Sequence, residues 1–287
     1  MGKLLMFVLI IIVVAFVSAS IDVFGNVKPI ENGESNDVYA EVNFVVDNIN
    51  DINEKGETFL TSAASAGSYA VVKNYIKAGA DVNMTNSKGN TALMAAAAKG
   101  RYLTSVELIK AKTDVTVRNF VGMTALLYAV SGNHVDIAIA ILNTGAVSVD
   151  DSLPNGRLNG VMMAAQNNYW ETLDELIRRN AELDVPTGSG ETAVMFAAVG
   201  GSVNATKLLI AAGANLNLRN DIGLTALMLA SSRGHIEVVR LLLDAKADWS
   251  LKDDADLTCI DYAFESDRRD VIQLLQSSGA RKSRRKH

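Results

Sequence analysis

Cysteine is almost missing from this chain of 287 residues, where Cys259 stands alone. That excludes an intrachain disulfide and a cysteine-built zinc cage. Histidine is nearly as scarce, with three in total, although acid-base catalysis recruits histidine more often than any other side chain. Aromatic residues make up only 6% of the chain, so any core must be built from aliphatic side chains. Positive charge is not in excess either: the formal net charge is -5, and a nucleic-acid partner would need a basic face for its phosphates. What is abundant is apolar residues, 49% against 21% charged, a balance far from that of disordered chains.

Part of that apolar content is concentrated at the start. Residues 1–20 read MGKLLMFVLIIIVVAFVSAS, with Lys3 before an unbroken apolar run from Leu4 to Val17 and then small residues. This is the grammar of an export signal, with Val17 and Ala19 suited to the cleavage site and a mature start near Ser20. The alternative is a retained membrane anchor, because Leu4 to Ile21 is 18 residues, the short end of what spans a hydrocarbon core. Both readings place the remainder outside the cytoplasm, periplasmic or secreted. Residues 21–36, with Gly25, Pro29 and Gly33, read as a linker. Val38, Val42, Val45 and Ile49 recur at helical spacing and predict an N-terminal capping helix over 37–50.

From there on the chain repeats itself. A T-x-x-x-x-A signature begins at Thr58, Thr91, Thr124, Asn159, Thr192, Thr225 and Thr258, with successive spacings of 33, 33, 35, 33, 33 and 33 residues. Asn159 is the one substitution at the first position, and the fourth unit carries a two-residue insertion. Thr and Asn can each cap a helix by accepting a hydrogen bond from an orphan backbone N–H. A second helix follows in every unit; in the sixth, Leu227, Leu229 and Ala230 form the apolar face of the first, while Ile236, Val239, Leu241, Leu242 and Leu243 broaden that of the second. Small residues such as Ala95, Ala96 and Ala97 let neighbouring helices approach closely. After the second helix a glycine recurs at Gly79, Gly145, Gly213 and Gly279, where a left-handed C-cap is expected. Lys112 and Lys246 occupy that slot in two units and predict strained or altered caps. Asn53, Asn86, Asn119, Asn220 and Asp253, five residues before the helix cap, can close a hairpin turn with their side chains.

A 33-residue period built from G-x-T-x-L-x-x-A, a second helix ending in L-L/I-x-x-G-A and then D-V-N resembles the ankyrin repeat. The resemblance runs from Asp51 to Ala280 and is clearest in NLNLRNDIGLTALMLASSRGHIEVVRLLLDAKA at 215–247, which is similar to versions found in bacterial proteins. It implies an all-α solenoid of about seven helix-turn-helix units with hairpin loops, at 51–80, 81–113, 114–146, 147–181, 182–214, 215–247 and 248–280, followed by a basic tail, 281–287. The family's T-P-L-H signature lacks its Pro and His here: Met94, Leu127, Met162, Met195 and Met228 stand where His would, implying methionine packing and softer contacts between units. Asp261, Glu265, Asp267, Arg268 and Arg269 make the last unit polar, as a terminal cap requires.

Catalytic chemistry is not visible. His134 and His235 occupy one equivalent slot at the start of a second helix, and His287 is terminal. No G-x-S-x-G elbow and no phosphate-binding loop occurs, and Asp150 with Asp151, or Asp253 with Asp254, fall in turns where solvated charge is expected. The reading is therefore of a protein that is not an enzyme, holds no metal or other cofactor, and acts as a monomer through a protein partner.

In ankyrin-repeat proteins, partners meet the hairpin tips and the exposed side of the first helices. Carried onto this sequence, those positions are Lys88 and Asn90 in the second unit, Phe120, Val121 and Met123 in the third, Leu153 and Leu158 in the fourth, and Ile222 and Leu224 in the sixth. Two readings of the apolar tips stand side by side. Phe120 and its neighbours form a contact patch, with Ile222 and Leu224 a second, separate one; or the insertion in the fourth unit, near Pro154, folds over Phe120 and buries it. Trp170 and Trp249 are expected in the core. The tail RKSRRKH carries five positive charges that could dock an acidic protein or anionic lipid; membrane contact is otherwise expected only through a retained N-terminus. The functional expectation is an exported binding scaffold, with an inhibitor of an envelope enzyme or toxin as alternative and an enzyme with a site between repeats as the remote one. In a eukaryotic secretory protein, Asn83-Met84-Thr85 and Asn204-Ala205-Thr206 would be glycosylation acceptors.

Overall fold

The computed structural model describes residues 28–29, 44–45, 49–156 and 158–281. The expected export segment, nearly all of the linker and the tail beyond Arg281 lie outside these residues. Lys28–Pro29 (β1) pairs antiparallel with Phe44–Val45 (β2). A helix over 37–50 therefore does not run through Phe44 and Val45, and Asn50 already belongs to a turn. Val38 and Val42 lie outside the described residues. Valine and phenylalanine favour strands, and a second segment to pair with outweighs a weak helical periodicity.

Among the described residues fourteen α-helices follow in seven antiparallel pairs. The inner helices are α1 (Phe59–Ala66), α3 (Ala92–Ala98), α5 (Ala125–Ser131), α7 (Gly160–Gln166), α9 (Ala193–Gly200), α11 (Ala226–Arg233) and α13 (Cys259–Glu265). The outer helices are α2 (Tyr69–Lys77), α4 (Tyr102–Lys110), α6 (Val135–Leu142), α8 (Trp170–Arg178), α10 (Val203–Ala211), α12 (Ile236–Asp244) and α14 (Arg269–Ser277). Among the described residues no helix is long and apolar enough to cross a membrane.

The cap positions explain where the inner helices start. Thr58, Thr91, Thr124, Asn159 and Thr225 each accept a hydrogen bond from the backbone N–H three residues on. Thr192 does not: its hydroxyl is buried and unpartnered. Thr258 instead donates its hydroxyl to Asp261, whose carboxylate also accepts the Thr258 N–H. Just inside the caps, paired small residues such as Ala63 with Ala64, Ala96 with Ala97 and Ala197 with Ala198 are fully buried between layers. Methionine at the family's His position is buried at Met94, Met162, Met195 and Met228, and the Met228 sulfur accepts the Thr225 N–H.

The outer helices end as the sequence predicts. Lys112 and Lys246 are held at φ 61° and 65°, in the left-handed region that disfavours a residue with a Cβ. The strained cap is kept rather than replaced. The Asx positions also close their turns: Asn119 accepts from Val121 and Met123 N–H, and Asn220 from Ile222 and Leu224 N–H. The fifth repeat, which has no Asx there, uses the Thr187 hydroxyl to accept from Ser189 and Glu191.

Trp170 departs from expectation. It is 45% exposed at the start of α8, because the first residue of an outer helix faces the open edge of the stack. Trp249 packs against the core, half-buried.

Candidate binding surfaces

Each repeat presents a hairpin tip and then an inner helix whose one open side lies beside it. Four residues after each cap the row reads Ser62, Ala95, Tyr128, Met163, Phe196, Leu229 and Tyr262. All are half-buried except Met163, which is buried. One residue before each cap stand Glu57, Asn90, Met123, Leu158, Glu191, Leu224 and Leu257. Together these rows floor a surface that is polar and small-chained in the first two repeats and, Glu191 apart, aromatic or aliphatic afterwards.

The floor deepens in repeats four to six. Leu158, Phe196, Val199, Ile222, Leu224 and Leu229 line a cleft of about 780 Å³. Ile222 stands 60% exposed at its lip. Glu191 is its carboxylate. Burial opposes ionisation of Glu191, yet hydrogen bonds from Thr187, Ser189, its own amide and Asn220 outweigh that and leave its pKa lowered. A smaller hollow of about 450 Å³ lies over the first three repeats, lined by Glu57, Lys88, Asn90, Lys99 and Tyr128 among others. There the Asn119 side-chain amide donates to Asn90 Oδ1 at 2.7 Å and to the Tyr128 hydroxyl at 2.9 Å.

The predicted residues are thus divided. Leu158, Ile222 and Leu224 meet in one cleft, so the fourth and sixth repeats are joined where the sequence suggested separate patches. Lys88 and Asn90 belong to the hollow. Phe120 and Val121 project from the third tip, 80% and 71% exposed, while Met123 and Leu153 are half-buried against the core. The insertion does not fold over Phe120. Its 3₁₀ turn, Pro154–Gly156, lies instead against Gly122, where an added Cβ would sit 2.2 Å from Pro154 Cδ. Phe120 lies over Gly89 in the same manner, 2.9 Å from where a Cβ would stand. Sequence reasoning missed Tyr128, Phe196 and Leu229. Their signal was present as the fourth residue after each cap, a half-exposed position that turns consistently apolar only from the third repeat on.

Among the described residues the two histidines are kept apart. His134 and His235 sit one per repeat, and His235 Nε2 lies 3.1 Å from the Val199 carbonyl oxygen of the preceding unit. Among the described residues no group of three or more His, Cys, Asp or Glu side chains could hold a metal ion. Burial pushes the Cys259 thiol up to about 12, so it does not supply a thiolate nucleophile near neutrality. Tyr262 is raised well above the ordinary phenol range by burial and by its hydrogen bond to Asp253.

A protein-family profile described as "Ankyrin repeats (3 copies)" matches residues 33–119, 60–152, 161–253 and 220–286. A search of curated protein sequences gives no match. Among solved structures, the ankyrin repeat domain of Bcl-3, a member of the IkappaB family, is similar with a TM-score of 0.67 and 26% identity, over 77% of this chain and 99% of that one. The human ASB11 ankyrin repeat domain is similar in fold with a TM-score of 0.68 and 22% identity, over 79% of this chain and 100% of that one. Ankyrin-repeat domains are in general scaffolds for protein–protein interaction and are typically non-catalytic. With seven helix pairs in register among the described residues and a profile match along most of its length, this chain belongs to the ankyrin-repeat family.

Proposed function

We propose that this protein is a non-catalytic scaffold, exported from the cytoplasm, that holds a protein partner across its hairpin tips and the open side of its inner helices. The observation that carries this reading is the apolar cleft of repeats four to six, floored by Phe196 and Leu229 and rimmed by Ile222. Soluble proteins keep contiguous apolar surface small unless something covers it. The polar Glu191 at its side supplies the kind of single oriented group that fixes register.

The test is a photo-crosslinking residue placed at Ile222 in the native cell, followed by binding measurements with the partner it captures. One reproducible adduct is expected, and Ile222→Glu should weaken its binding at least tenfold while leaving the melting temperature unchanged, since the side chain is exposed. Absence of an adduct at both Ile222 and Phe120 would remove the reading. Export rests on the apolar run of residues 4–17 and is tested by the mature N-terminus: an intact Met1 on a cytoplasmic protein would refute it. An inhibitory role is the particular form of this reading in which the captured partner is an enzyme whose activity falls in proportion to added scaffold.

A further inference from the structure

The apolar register on the opposite edge of the stack is not used by the cleft. The first residue of successive outer helices is Tyr69, Tyr102, Val135, Trp170, Val203 and Ile236. Because each inner helix leads away from its tip, these positions lie at the edge distal to the tips. Tyr69, Tyr102 and Trp170 are 37%, 47% and 45% exposed, and Leu103 beside them is 65% exposed. At this register Val203 and Ile236 pack against the core, whereas Tyr69, Tyr102 and Trp170 stand out from it, and tyrosine and tryptophan are enriched at contact surfaces.

The adjoining register supplies the charge. One residue further on stand Asp136, Glu171, Glu237 and Asp270, all exposed, with no cation at that register in any repeat. Neither Asp136 nor Glu171 has an ion-pair partner among the described residues. Both line a depression of about 420 Å³ together with Tyr102, His134 and Val135. The basic side chain nearest in register, Arg101, is turned to the Ser65 carbonyl of the preceding repeat. Apolar ridge and unpaired carboxylates therefore run side by side across repeats two to four.

We propose that this edge is a second docking surface, whose occupant is a basic amphipathic helix of a partner protein. Its apolar side chains would pack on Tyr102, Val135 and Trp170, and its Lys or Arg side chains would pair with Asp136 and Glu171. The spacing suits a helix: packed helices of neighbouring layers lie roughly 8–10 Å apart, and one heptad of a partner helix advances about 10.5 Å. Anionic lipid is disfavoured by the same carboxylates. The surface is separate from the cleft and does not depend on it.

The full-length protein carrying Trp249→Phe, which leaves Trp170 as its only tryptophan, is titrated with a 21-residue helical peptide of leucine and lysine in heptad register. The expected result is a saturable blue shift of Trp170 emission. Asp136→Asn with Glu171→Gln, checked for unchanged circular dichroism, should weaken binding at least fivefold and flatten its salt dependence. Ile222→Glu in the distant cleft should leave it unchanged, which separates this surface from the proposed function. A peptide with glutamate in place of lysine should not bind. The proposal is overturned by equal binding of the two peptides, by no emission shift, by insensitivity to the double substitution, or by a shift with zwitterionic vesicles but none with the lysine peptide.

Discussion

A threonine at the head of a helix stabilises it only when its oxygen reaches the N–H groups left over in the first turn. Thr225 does so, accepting from Met228 N–H at 3.3 Å. Thr192 occupies the same slot, equally buried, with an unpartnered hydroxyl. Replacement by valine keeps the shape and removes the oxygen, so the two sites should differ. Thr225→Val is expected to cost about 1 kcal/mol, and Thr192→Val to fall within about 0.5 kcal/mol of zero, because an unpaired buried hydroxyl has already lost its hydration. Urea titration of both variants decides, and equal costs would show that the Thr192 hydroxyl is bonded after all. Cys259 offers a pH test. Burial raises its pKa from 9.0 to about 12, so the folded state favours the neutral thiol more than the unfolded state does. The stability this contributes is complete below pH 9 and is lost as pH rises from 9 to about 12. Cys259→Ala should therefore reduce the slope of stability against pH in that window, and the native thiol should resist alkylation at pH 8. An unchanged slope would mean that the thiol ionises as freely in the fold as outside it.

Among the described inner helices, α7 begins with the residue least suited to a helix. It opens with Gly160, where Ala92, Ala125, Ala193 and Ala226 open their counterparts. A Cβ at Gly160 would meet Leu176 Cδ1 at 3.5 Å and Val130 Cγ2 at 3.6 Å, ordinary van der Waals contact. Gly160→Ala is thus expected to stabilise by about 0.5–1 kcal/mol, read as a higher midpoint in urea; a destabilised variant would show that the third and fourth layers sit closer than these distances. Helix existence and limits were legible in the sequence because one cap and one period recur seven times, each copy correcting the others. Phe44 and Val45 have no such copies, and there a local helical pattern yielded to strand pairing. The cleft was half legible. Leu158, Ile222 and Leu224 stood out as apolar residues in turns, but Phe196 and Leu229 looked like any core position of an amphipathic helix. Only the side on which the hairpin falls leaves that position open.

In a linear stack, stability is a sum of units and of the joints between neighbours, so the joint with the fewest recurring bonds decides where the molecule divides. Three bonds recur here. A third-position side chain accepts the next unit's first N–H, as Asn83 does from Asp114 and Asn217 from Asp248; tips pair, as Asp221 N–H does with the Ser189 carbonyl; and the residue before an outer helix donates back, as Arg268 does to the Ser232 carbonyl. Between the third and fourth repeats none of the three is found among the described residues. Thr116 replaces the acceptor, turning its hydroxyl to Asp114, and the insertion moves the fourth tip out of line. Side chains span the joint instead: Arg118 reaches Asp151 and the Ser152 carbonyl, Thr124 donates to Asp151, and Thr172 donates to Asn133. Asp151 has a side chain only 6% exposed, against 41% for Arg118. Removing the guanidinium leaves that carboxylate buried with, among the described residues, only the Thr124 hydroxyl. The loss should be about 1–3 kcal/mol, below the full value for a buried pair because arginine is partly in water. Since the loss falls on one joint, Arg118→Ala should do more than lower stability. Native-state hydrogen exchange should show the amides of repeats one to three opening in a step separate from those of repeats four to seven, and the urea transition should split in two. A single transition, with protection falling evenly along all seven repeats, would place the weak joint elsewhere.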